Sequence, residues 1–174
     1  MPHNWVNRAK SKEKITPRGI VIHSTGRNQP FVKTFIQPVK DNPNYKELLK
    51  IIGRENNYKK PQHDYHFWVG KTITQGVKSF MIEPLDLKLW NDNFIHICIC
   101  EDDLNNKNYL IDCISEITVL CDELCKHYHW TEKAIHDYSE ISNFPDCNYW
   151  FKKHGYSIEL IRAIIYNIQH PNNF

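Results

Sequence analysis

Two histidines in this 174-residue chain occupy the same kind of position. His23 follows the β-branched run of "GIVIHSTG" (19–26), and His136 follows "EKAI" in "EKAIHDYSE" (132–140). In each, an apolar strand pattern stops on an imidazole and gives way to polar residues. Strand ends in open α/β sheets border the crevice where ligands bind. A single histidine there is more often a polar group satisfied by a hydrogen bond than a ligand. A third donor changes that balance, and Asp146 supplies one. It lies ten residues past His136, beyond the turn formers Ser142, Asn143 and Pro145, and a loop of that length can return a carboxylate to the imidazole. Two neutral imidazoles, one carboxylate and a position left to water make the donor set of a catalytic zinc centre. The spacing is modest evidence by itself, because the compactness of an HxxxH pair is missing.

The elements that must position these donors can be read from periodicity. Residues 19–24 predict a short buried strand bounded by glycines, and strands are expected near 65–70 and 76–82 with a turn around 71–75. "FIHICIC" (94–100) is apolar on both faces except for His96, which predicts a central strand. Residues 132–136 predict a short strand ending on His136. A helix is expected over 42–53, started by Pro43 and stopped by Gly53, followed by an exposed loop over 54–63. The clearest helix runs over 108–128, where Leu110, Cys113, Ile114, Ile117, Leu120, Cys121, Leu124, Cys125 and Tyr128 form one apolar stripe. A last helix over 157–168 has Ser157 as its N-cap and Ile158, Leu160, Ile161, Ile164 and Ile165 facing inward. Strands interleaved with helices predict an α/β fold, a central mixed sheet flanked by helices in a single domain. Residues 1–16 are expected to form an arm, and 17–174 the domain proper.

Composition narrows the function classes. Hydrophobic residues make up 41% and charged residues 24%, the balance of a folded domain. A net charge of +2 and a pI near 8.2, with Lys and Arg scattered among acids, give no footprint of a nucleic-acid partner. No apolar run is long enough to span a bilayer, so membrane insertion is not expected. The polar, basic start has no apolar signal-peptide core, so synthesis in the cytoplasm is expected, with action at an outside target only after release or export. Nothing suggests a large symmetric interface, and a monomer is expected. Of the six cysteines, Cys98 and Cys100 share a strand, and Cys113, Cys121 and Cys125 share a helix stripe, which predicts reduced, buried thiols.

Across nearly its whole length the chain resembles the zinc-dependent N-acetylmuramoyl-L-alanine amidases of the type-2 amidase, phage-lysozyme and peptidoglycan-recognition superfamily. The resemblance is greatest to endolysin or autolysin catalytic domains of low-GC bacteria and their phages. The stretches that carry it are "PRGIVIHSTGRNQPFVKTFIQPVK" (17–40), "YHFWVGK" (65–71), "ICED" (99–102), "AIHDYSE" (134–140) and "SNFPDCNYWFKKHGYSIELIR" (142–162). It implies the same ligands, His23, His136 and Asp146, around Zn2+. It also implies cleavage of the amide between N-acetylmuramic acid and L-alanine in peptidoglycan or muropeptides. Tyr65, the tyrosine of a "GYHF"-type motif, becomes a candidate catalytic residue, with a half-buried strand tyrosine as the other reading. Cys147 is second choice as third ligand, and a structural zinc closed by Cys147 is a further possibility. The remaining histidines read as surface or packing residues, although His66 could line the cleft.

Three departures matter. Many relatives read "IGIEICE" where this chain has "IHICICE" (95–101), so Cys98 replaces a glutamate that is a general acid/base in some of them. Asn91 stands where a histidine usually follows Trp90, and Phe144 where lysine or histidine is frequent. These substitutions leave open a catalytically impaired protein that binds cell-wall fragments or a protein partner.

Overall fold

In a computed structural model, residues 13–36, 45–52, 65–142 and 149–173 are described. The β-branched run after Gly19 forms β1 (Ile20–Ser24), and a 3-10 turn follows at Val32–Thr34. Helix α1 spans Tyr45–Ile52. The next strands are β2 (Phe67–Lys71), β3 (Val77–Met81) and β4 (Ile95–Ile99). The long helix α2 (Lys107–Tyr128) starts where the Asn106 side chain accepts the Tyr109 N–H. Strand β5 (Ile135–Asp137), α3 (Tyr138–Ile141), α4 (Tyr149–Lys153) and α5 (Ile158–Gln169) complete the chain.

The five strands make one mixed sheet in the order β3-β2-β4-β1-β5. β1 pairs in parallel with β4 and β5, β2 pairs in parallel with β4, and β3 is an antiparallel edge strand. All five residues of β4 are buried, as a central strand covered on both faces requires. The two-residue period of each strand divides the interior in two. Ile20, Ile22, Val69, Ile95, Ile97 and Ile135 face α2 and α5 in the larger cluster. On the other face Val32, Phe35, Tyr65, Trp68, Phe80, Cys98 and Cys100 form a smaller one.

The structure follows the sequence expectations with local corrections. The 108–128 stripe is buried, with Tyr128 only partly so, and Ser157 caps α5 through the Glu159 N–H. The expected strand over 132–136 begins late. Thr131 accepts the Lys133 N–H and winds Glu132–Ala134 into a 3-10 turn, so the strand is Ile135–Asp137 and His136 is its middle residue. Asp137 then caps α3 by accepting the Ser139 N–H. Within the expected arm, residues 13–16 are tied to the body. Lys14 bridges to Leu87, and the Ile15 N–H donates to the Asp86 carbonyl at 2.7 Å. Residues 1–12, the helix-limiting Pro43 and Gly53, and the loop expected over 54–63 lie outside the described residues. Cys98, Cys100, Cys113, Cys121 and Cys125 are buried and in no disulfide, as expected, and Cys147 lies outside the described residues.

Candidate active site

Sheet register brings the two predicted histidines together. His136 pairs with Val21, so its side chain shares a face with Val21 and with His23 two residues on, one diagonal step away on the neighbouring strand. This is the face opposite α2. His23 is almost fully buried, whereas His136 keeps 25% of its side chain exposed at the sheet's edge strand.

Aromatic rings enclose His23. Its ring centroid lies 4.8 Å from Trp90, 4.7 Å from Tyr138 and 5.1 Å from Tyr65. Tyr65, the predicted catalytic residue, is therefore in the same neighbourhood, held edge-on against His23 and against Trp68 at 5.0 Å. Cys98 stands directly in register with His23 on β4, buried, so a thiol fills the position beside the histidine. Asn91 is exposed. Asp146, Cys147 and Phe144 lie outside the described residues, and among the described residues no group of three or more His, Cys, Asp or Glu side chains is close enough to hold a metal ion.

Two residues that the sequence reading assigned to packing or did not single out belong to the site. His96 Nδ1 lies 2.8 Å from His23 Nε2, and His96 Nε2 lies 2.8 Å from Asp92 Oδ1. His66, expected as a possible cleft residue, is instead fully buried support. Its Nδ1 accepts the His96 backbone N–H at 2.9 Å, and its Nε2 donates to the Leu87 carbonyl at 2.8 Å.

Around His136 the electrostatics favour a neutral ring. Burial lowers its pKa, opposed by Glu140, whose Oε2 lies 3.4 Å from Nδ1; Arg162 and Arg18 push it lower. Glu140 is itself claimed by Arg162, which also donates to the Ile135 carbonyl at 2.7 and 2.8 Å and so ties α5 to β5. A neutral imidazole is the form that binds a metal. Two imidazoles on adjacent strands of this face are donors of the kind a zinc ion takes.

Two cavities open near these strands. One of about 500 Å³ has His136, Glu140, Arg162 and Tyr166 in its wall. The other, about 550 Å³, lies past the ends of β1 and β4 and is lined by Ser24, Arg27, Glu101, Asp102, Trp150 and Lys153. There Glu101 accepts the Gly26 N–H at 3.1 Å, and burial pushes Asp102 up to about 6.

The family described as N-acetylmuramoyl-L-alanine amidase matches residues 13–155, most of the chain and all the strands above. Solved structures that share the fold include PlyL and AmiA. PlyL has 12% identity and a TM-score of 0.59 over 91% of each chain. The Staphylococcus aureus hydrolase AmiA, solved in complex with its ligand, has 16% identity and a TM-score of 0.55, covering 91% of this chain and 80% of that one. No curated protein sequence matches the chain. On the family match, the chain belongs to the N-acetylmuramoyl-L-alanine amidases and is an amidase acting on peptidoglycan.

Proposed function

We propose that His23, His136 and Asp146 hold a zinc ion, and that the chain hydrolyses the amide joining the lactyl group of N-acetylmuramic acid to L-alanine. The observation that carries this reading is the placement of His23 and His136 on one sheet face, with Trp90 and Tyr138 packed against His23. Zinc, when bound, polarises the scissile carbonyl and lowers the pKa of a water towards about 7. The protein's own groups do the rest. Tyr65 donates its O–H to the oxygen that gains charge as the carbonyl is attacked, a task for which an edge-held, rigid donor is suited. Trp90 and Tyr138 pack on the His23 ring and hold it in place on the sheet face. Activity at the cell wall follows release or export.

The test is His136→Ala, at a position with a quarter of its side chain exposed, with folding of the variant checked by circular dichroism. The variant is expected to lose its zinc and its cleavage of muropeptides together, measured by metal analysis and by appearance of free L-alanine amino groups. Undiminished activity would refute the assignment. A second reading, binding of wall fragments without hydrolysis, is favoured by Cys98 standing beside His23. It requires that zinc-loaded protein bind muropeptides yet release no stem peptide over long incubation.

A further inference from the structure

We propose that Asp92 and His96 are positioning residues that lock His23 in one tautomer and one ring orientation, a role that rests on the reading of His23 as a metal ligand. A carboxylate only accepts hydrogen bonds, so the 2.8 Å contact between Asp92 Oδ1 and His96 Nε2 places the proton on that nitrogen. A His96 ring that holds this single proton accepts at Nδ1, and its 2.8 Å contact to His23 Nε2 then places a proton on the His23 nitrogen. A neutral His23 protonated at Nε2 carries its lone pair at Nδ1, which defines the nitrogen that faces a metal.

Three further features make this chain of contacts rigid. The His96 backbone is pinned by its N–H bond to His66 Nδ1, and His66 is anchored in turn to the Leu87 carbonyl. Trp90 stacks on His96 at 4.9 Å with planes 15° apart and lies 4.8 Å from His23, so one indole restrains both rings against rotation. Asp92 Oδ1 also accepts the Phe94 N–H at 3.1 Å, which fixes the carboxylate. Burial opposes ionisation of Asp92, but its bonds to His96 and Phe94 outweigh that and hold the carboxyl below its ordinary range. His96 has no exposed surface and His23 almost none, so neither ring can exchange its partner for water without opening the sheet face.

Outer hydrogen-bond partners of metal-bound histidines are worth 10- to 100-fold in metal affinity, of the order of what truncation is expected to cost here. The experiment combines imidazole nitrogen NMR of metal-free protein with zinc competition titrations on variants shown to be folded. Metal-free wild type is expected to show His23 protonated at Nε2 and bare at Nδ1. His96→Phe should weaken zinc about 10- to 100-fold. His96→Asn, whose side-chain oxygen accepts in place of Nδ1, should restore most of that loss. Asp92→Ala, at a partly exposed position that keeps the sheet intact, should give a mixed His23 tautomer and a smaller loss. A His23 ring protonated at Nδ1, an undiminished zinc affinity in His96→Phe or Asp92→Ala, or zinc-induced shifts on His96's own nitrogens that mark it as a ligand would each overturn the proposal alone. Failure of the wild type to bind zinc would overturn the functional reading beneath it, and the tautomer would still report whether the relay exists.

Discussion

The imidazole of His66 has no exposed surface, and burial holds its pKa down to about 4, more strongly than the Leu87 carbonyl raises it. A histidine depressed in the folded state contributes stability that is fully present above its unfolded pKa, 6.5, and lost as pH falls towards 4. The shift corresponds to roughly 3 kcal/mol. Asp102, pushed up to about 6, acts with the opposite sign, since its folded form takes up a proton first as pH falls. Comparison with His66→Gln isolates the histidine. The substitution should destabilise by about 2–3 kcal/mol more at pH 7 than near pH 4.5, read from denaturant unfolding at both pH values, and an equal cost at both would contradict it. At this scale His23 and Tyr65 were legible because strand patterns and a motif mark them. The roles of His96 and Asp92 were not. Within "FIHICIC", residue 96 is one more internal strand position, and only the register of β4 against β1 brings its ring to His23.

The elements hold the two predicted ligands at a fixed offset, and Gly19 shows how closely. A Cβ there would lie 2.6 Å from the Ala134 carbonyl oxygen and 3.0 Å from the Phe94 ring, at the point where β1 enters the sheet beside β5. The ring can yield, but the carbonyl is backbone. Gly19→Ala is therefore expected to destabilise by about 1–3 kcal/mol, despite the smaller unfolded-state entropy of alanine. An unchanged or raised denaturation midpoint would contradict this. Long elements were legible from the sequence: 22 residues of α2 repeat their apolar spacing many times over, and β4 declares its central place by having no polar face. Short ones were not, because the four residues of α3 and the three of the turn before β5 contain no full period. Their signals are the caps, Thr131 and Asp137, and at sequence level those residues serve equally well in a loop.

Across the whole molecule, labour is divided by the sheet. One face packs against α2 and α5 to form the main core, and the other carries the histidines among aromatic rings. The thiols serve packing: burial pushes Cys113 up to about 12 and Cys125 up to about 11, so neither offers a thiolate at neutral pH. Among the described residues no helix is long and apolar enough to cross a membrane. The family match and the fold agree on an amidase, and the central proposal is that its chemistry runs through a metal held by the histidine face. The most direct measurement is mass spectrometry of purified peptidoglycan digested by the protein as prepared, after chelation, and after zinc is added back. The account predicts stem peptides freed at L-alanine, their loss on chelation, and their return with zinc. Release at that bond undiminished by complete metal removal would contradict it.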